Sequence, residues 1–272
     1  MTTLPSPPFI EIEGISNFRD IGGTRTSDGK EIRSGLVFRS ADPSKPTDSG
    51  RKKMSEELGI KVIFDLRSTP EIQRDGPEWS GLEVATDDAY RASGIERRWT
   101  PVFADKDYGP EQVAVRYKDY TSTGTEGWVR AYHDILKDGK GSFGKIFAHL
   151  AGQKPAPCLI NCTAGKDRTG VCIALLLQLA GVDAETTADE YALTDQGLAE
   201  LKPFFVERLL KNPAISDNEE GVWRMVSAKK ENMLAALGML RDDFGGAEQY
   251  IVKQCGLSQA QVEQMKRNLV DA

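Results

Sequence analysis

The stretch from Pro157 to Gly181, PCLINCTAGKDRTGVCIALLLQLAG, runs from a short apolar segment through a polar loop into a long apolar one. PCLIN has the length and composition of a buried strand. RTGVCIALLLQLAG is apolar nearly all round, the mark of a buried helix. In open α/β sheets such a loop falls at the carboxyl end of a strand, where ligands bind. Its backbone N–H groups and the first turn of the helix make a cradle for an anion. Ala164 and Gly165 let the backbone come close, and Thr163, Lys166, Asp167 and Thr169 complete the lining. Arg168 adds a planar fork able to hold two oxygens at once. Cys162 opens the loop. A helix N-terminus with nearby cations lowers a cysteine pKa from about 8.5 to roughly 3.5–7.5. A thiolate beneath a bound phosphate is then an in-line nucleophile, forming a phosphocysteine that water hydrolyses. The Thr169 hydroxyl is placed to hydrogen-bond the sulfur as it leaves. The plainer alternative, an inert core thiol like Cys172, needs no cation-bearing loop.

Outward from this stretch, strands alternate with helices and then give way to a helical tail. IKVIFDL (Ile60 to Leu66) is a β-branched apolar run, expected to be a strand buried on both faces. Before it, PTDSGRKKMSEELG reads as a helix capped by Thr47 or Asp48 and closed by Gly59. After it, Ser68 and Pro70 begin another helical turn. Phe9 to Ser40 reads as short strands joined by turns, following a loosely held proline-rich start over residues 1–8. RRWTPVF suggests a further strand within an irregular, charged stretch, and residues 80–124 are expected to include a lid. TEGWVRAYHDILKDG and SFGKIFAHLAG read as two helices, and Ser258 with Gln261 forms a capping box for the last one. Trp99, Trp128 and Trp223 read as core. The pattern predicts an α/β fold, a central mostly parallel sheet flanked by helices with a helical C-terminal part, in one domain over 1–272.

At 272 residues the chain can bury one substantial core, and 39% hydrophobic with 28% charged residues is ordinary for a soluble globular protein. A net charge of -6 argues against nucleic-acid partners, while leaving room for a local basic pocket. No signal-peptide pattern opens the chain, and the longest apolar run is too short for an integral membrane segment. Four cysteines without C-x-x-C pairing suit a reducing cytoplasm. His133 and His149 lie apart from other candidate ligands, so no metal or cofactor is expected.

CTAGKDRTG from Cys162, ISNFRDIGG from Ile15 and FDLRS from Phe64 together resemble the signatures of the cysteine-based tyrosine phosphatase family of bacteria and fungi. GLVFRSADP and FGGAEQYIVKQCGLSQAQVEQM are similar to its remaining landmarks, so the resemblance spans nearly the whole chain. It implies the cysteine-phosphatase fold and metal-free hydrolysis of phosphomonoesters. The substrates implied are phosphotyrosine, with phosphoserine, phosphothreonine or phosphoinositides as extensions. Carried over by position, Cys162 is the nucleophile, Arg168 the phosphate binder, and Lys166 and Asp167 the distinctive loop pair. One departure stands out: the family usually has histidine before the cysteine, and this chain has Asn161. An amide supplies a donor and an acceptor but no charge. A catalytically weak phosphate-binding module is the alternative this suggests.

Loss of the leaving oxygen needs a proton donor. Asp167 in the loop and Asp65 at the end of a strand are the two candidates, with Asp87, Asp88, Asp105 and Asp107 behind them. Lys166 reads as a second cation beside the phosphate, suited to substrates with several negative charges. Asn17, Arg19, Asp20, Arg39 and Arg67 read as an internal polar network holding the sheet edge.

Overall fold

The computed structural model describes residues 4–73, 87–103 and 110–271, with the backbone alone for 73 and 110–114. Five strands form one sheet: β1 (Arg19–Asp20), β2 (Val37–Ser40), β3 (Val62–Asp65), β4 (Glu96–Trp99) and β5 (Cys158–Asn161). Their order is β1-β2-β5-β3-β4, with β1 antiparallel to β2 and the other pairings parallel. The helices are α1 (Asp48–Lys52), α2 (Thr69–Gln73), α3 (Asp87–Ala92), α4 (Pro110–Thr121), α5 (Glu126–Leu150), α6 (Asp167–Leu179) and α7 (Ala184–Ala192). They continue as α8 (Thr194–Gly197), α9 (Lys202–Leu209), α10 (Glu219–Val226), α11 (Lys230–Phe244), α12 (Ala247–Lys253) and α13 (Gln259–Leu269).

The sheet is covered on both faces, and the side-chain period of two explains the near-continuous apolar runs of its inner strands. Val37, Val62, Phe64, Cys158 and Ile160 join one core cluster with α5, α6, α11, α12 and α13. Their alternates Phe38, Ile63 and Leu159 join a second with Ile12, Met54, Ile60 and Tyr90. A third, smaller cluster, Val206, Ile215, Val222 and Val226, gathers α9 and α10 with Tyr117 of α4.

Local sequence signals hold at several ends. The Thr47 hydroxyl accepts from the Gly50 N–H, α1 runs into a π-helical turn (Lys53–Glu57), and Gly59 follows at φ 66°. The capping box at Ser258 and Gln261 is present. The expected loose start is shorter than residues 1–8, because the Pro8 carbonyl accepts from the Asp20 N–H and Phe9 is buried. Trp128 is buried, but Trp99 and Trp223 are 50% and 40% exposed. No helix among the described residues is long and apolar enough to cross a membrane.

The two helices expected around residue 140 are one. Helix α5 passes without a break through Gly139 and Gly141. Each glycine costs about 1 kcal/mol relative to alanine in a helix interior. Burial of Trp128, Tyr132, Ile135, Leu136, Phe143, Ile146, Phe147 and Leu150 along one stripe outweighs this, at roughly 1.5–3 kcal/mol per large apolar side chain. Gly139 also makes room, since a Cβ there would lie 2.9 Å from the Phe143 ring. Gly141 is exposed, and a Cβ there would meet nothing within 4 Å. Gly141→Ala should therefore stabilise the protein by about 0.5–1 kcal/mol. Thermal melting checks this; an unchanged or lower Tm would mean that the helix is not continuous at this position.

Candidate active site

The parallel strands end together at Ser40, Asn161, Asp65 and Trp99, with Asp65 in register with both Asn161 and Trp99. Cys162 is the first residue past β5, only 2% exposed, and the loop closes where α6 begins at Asp167. Thr163, Ala164, Gly165, Lys166 and Asp167 point five N–H groups at no acceptor among the described residues. The loop is tightly seated. Gly165 has φ 62°, and a Cβ there would fall 2.1 Å from the Ser40 carbonyl oxygen, so no other residue fits without moving β2. The Asp42 N–H donates to the Thr163 carbonyl from the other side.

Behind the loop lies a buried charge cluster. Glu190 of α7 accepts from Arg19 Nε at 2.7 Å and from Arg39 Nη1 at 2.5 Å. Arg39 Nη2 donates to the Gly165 carbonyl at 2.7 Å, and Asn17 Nδ2 to the Ala164 carbonyl at 3.1 Å. Both guanidiniums are fully buried, and burial lowers the Arg19 pKa to about 10, with Arg39 adding to the effect. Asp20 accepts from the Gly22 and Gly35 N–H groups and holds the turns around β1. The network expected at the sheet edge is therefore structural and carries the loop.

Arg168 lies against Glu71 of α2 through two parallel hydrogen bonds, Nη1 to Oε2 at 2.7 Å and Nη2 to Oε1 at 2.6 Å. This fork geometry fixes the guanidinium plane. The Thr163 hydroxyl also donates to Glu71, and Ser68 donates to it from its N–H and its hydroxyl. Glu71 was missed by sequence reasoning, although Ser68-x-x-Glu71 at a helix start is a capping-box signal. Glu190 had no local signal at all.

Asp65 does not meet the requirement for an acid. Burial pushes its pKa up, but hydrogen bonds from Arg67 and the charges of Arg67 and Arg97 outweigh that and hold it below the usual range. Its oxygens accept from Arg67 Nε at 2.9 Å, Arg67 Nη2 at 2.7 Å, Arg97 Nη2 at 2.9 Å and Asn161 Nδ2 at 3.2 Å. These contacts suit an anionic anchor of the strand ends better than a proton donor. Asn161 is thereby tied to this cluster through its amide. Asp87 pairs with Arg97 and Asp88 with Arg91, both as surface ion pairs, and Asp105 and Asp107 lie outside the described residues. A cavity of about 250 Å³, lined by Lys61, Asp87, Gly94 and Glu96, opens at the amino ends of β3 and β4 rather than at the loop.

Lys166 also differs from expectation. It is 3% exposed, and its ammonium is engaged by protein groups. Its Nζ donates to the carbonyls of Met225 at 2.7 Å and Ser227 at 3.2 Å, and sits 4.2 Å from the Trp128 ring centroid. Burial lowers its pKa, while Asp167, at 3.2 Å, works the other way. Asp167 stands at the loop mouth with its side chain 23% exposed and accepts from the Tyr132 hydroxyl at 2.9 Å. Thr169 is buried, and its hydroxyl finds no partner among the described residues. Of the other cysteines, burial pushes Cys158 up to about 12 and Cys172 well above the ordinary thiol range, so both stay neutral thiols.

A buried cysteine at the end of a central strand and an oriented arginine at the start of the following helix frame one short loop, an arrangement suited to a phosphatase. The chain matches the tyrosine phosphatase family over residues 10–271, and it belongs to that family of enzymes. It is 27% identical over 292 residues to the triple specificity protein phosphatase PtpB of Mycobacterium tuberculosis, covering 94% of this chain and 97% of that protein. It is 29% identical over 246 residues to a tyrosine-protein phosphatase of Nostoc commune, covering 89% of this chain and 76% of that one. Among solved structures, the Siw14 catalytic core matches 74% of this chain and 94% of its own, at 16% identity and a TM-score of 0.36.

The buried cluster makes a stability prediction. Burial alone would raise the Glu190 pKa, but Arg19 and Arg39 together bring it below its ordinary value. A carboxylate depressed on folding stabilises above its unfolded pKa of about 4.3, and that stabilisation is lost as pH falls through the lower folded value. Glu190→Gln should cost about 3–5 kcal/mol near neutral pH, since it leaves two buried guanidiniums unpaired. Urea unfolding against pH checks both parts: the variant should be weaker at pH 7, and the difference should narrow below about pH 4.

Proposed function

We propose that the chain hydrolyses phosphomonoesters through a phosphocysteine intermediate, acting on phosphotyrosine above all. One observation carries this reading: Cys162 and Arg168 flank one short strand-to-helix loop, and the N–H groups of residues 163–167 find no acceptor among the described residues. Phosphate oxygens would take those donors and Arg168, with Glu71 holding the guanidinium plane. The Cys162 sulfur attacks phosphorus, the ester P–O bond breaks, and Asp167 gives its proton to the leaving oxygen. Water then attacks phosphorus, the S–P bond breaks, and Asp167 takes the water proton back. The unpartnered Thr169 hydroxyl donates to the departing thiolate.

The name of the Mycobacterium tuberculosis relative supports phosphoserine, phosphothreonine and lipid phosphates as further substrates. The engagement of the Lys166 ammonium by the Met225 and Ser227 carbonyls supports phosphotyrosine as the main one, because a substrate with a single phosphate needs no further cation. The family match over residues 10–271 supports one phosphatase domain, and four free thiols fit a reducing cytoplasm.

Hydrolysis of 4-nitrophenyl phosphate should persist in excess chelator and stop with vanadate or thiol alkylation. Activity abolished by chelator and restored by zinc or magnesium would overturn the reading. Cys162→Ser should lose turnover while still binding vanadate, whereas Arg168→Ala should lose both.

Asp167→Asn tests the acid. It should slow phenyl phosphate by about 100-fold, the lower end of general acid catalysis, and 4-nitrophenyl phosphate far less. Equal losses on both substrates would make Asp167 an organiser of the loop instead.

A further inference from the structure

Helices α5 and α7 bring two tyrosines to the loop that the mechanism above does not use. Tyr132 is fully buried and Tyr191 1% exposed, and their hydroxyl oxygens are 2.7 Å apart. The Tyr132 hydroxyl lies 2.9 Å from Asp167 Oδ1. A phenol has one hydrogen to give, and the carboxylate is the stronger acceptor, so Tyr132 donates to Asp167 and Tyr191 donates to Tyr132. Lys166 Nζ reaches the same Oδ1 at 3.2 Å. Oδ1 therefore carries two donors, and Oδ2 has no partner among the described residues.

We infer that Tyr132 is a positioning residue for the acid step: with Lys166 it occupies Oδ1, so the transferable proton is carried on Oδ2, and Tyr191 fixes Tyr132 from behind. A proton on Oδ1 would face two donors and displace one of them. Packing keeps the pair in place. The Tyr132 ring stands edge-on between Trp128 and Tyr191, with centroids 5.9 and 6.3 Å away. Gly170 of α6 lets the Tyr191 ring come close, since a Cβ there would lie 3.0 Å from it. Burial, followed by the charge of Asp167, raises the Tyr132 pKa well above the phenol range, so it remains a donor throughout the working pH range. The inference rests on Asp167 as the proton donor.

The test compares wild type, Tyr132→Phe, Tyr191→Phe, Asp167→Asn and the Tyr132→Phe/Asp167→Asn double variant on 4-nitrophenyl phosphate and phenyl phosphate. Tyr132→Phe keeps the ring and removes only the hydroxyl. It should lower kcat on phenyl phosphate about tenfold, a part of the general acid contribution, and on 4-nitrophenyl phosphate less than about threefold. KM and inhibition by vanadate should not move. Tyr191→Phe should act in the same direction and more weakly. In the Asp167→Asn background Tyr132→Phe should add nothing further. Equal losses on both substrates, a raised KM, or the same further loss in the double variant would make Tyr132 merely structural. If Asp167→Asn discriminates between the substrates and Tyr132→Phe does not, the inference alone falls. If neither discriminates, the acid assignment falls with it. Should Tyr132→Phe fail to fold, Tyr191→Phe decides on the same two substrates, and equal rates with wild type on phenyl phosphate would overturn the inference.

Discussion

The loop depends on one carboxylate that never reaches it. Glu190 neutralises Arg19 and Arg39 in the interior, and Arg39 then holds the Gly165 carbonyl. Without that anion, two buried guanidiniums would be left unpaired and repelling each other, at a large cost in a medium of low dielectric. With it, the carbonyls of Ala164 and Gly165 are turned back into the protein, and the N–H groups of the loop are free to turn the other way. The candidate site is thus one face of a peptide arrangement whose other face is tied down by the charge cluster.

A second clamp works from the opposite side. Glu71 fixes the plane of Arg168 and takes the Thr163 hydroxyl, while Asp65 gathers Arg67, Arg97 and Asn161 beneath the same strand ends. Such a site is ordered before any ligand arrives, so binding does not have to order it. Asn161 fits this scheme as a neutral link. Its amide joins the strand end to an ionised aspartate, a role that requires a donor and not a charge.

Much of the architecture was legible along the chain. The strand at Val62 announced itself by a β-branched apolar run, that at Cys158 by a short apolar segment, and the Ser258 capping box by its spacing. Helix α5 was misread as two, because local propensity at Gly139 and Gly141 opposes a helix while the apolar stripe that sustains it is recognised only through the core it meets. Trp99 and Trp223 were misjudged for a related reason: aromatic character says nothing about whether a neighbour exists to cover it.

The sequence by itself determined the loop, the cysteine and arginine that flank it and the strand-to-helix setting, because these lie within a dozen residues and their signals are local. Only the tertiary structure decided which charges meet. Asp65 and Asp167 were equivalent as candidate acids until one was found between two guanidiniums and the other at the loop mouth beside Tyr132. Lys166 reads as a phosphate ligand by position, yet its side chain turns toward the carbonyls of Met225 and Ser227, some 60 residues along. Glu71 and Glu190 act on the loop from 97 and 151 positions away from Arg168 and Arg39. Hydrogen bonds and ion pairs act over about 3–4 Å. Separations of that length in sequence carry no trace of them until the chain is folded.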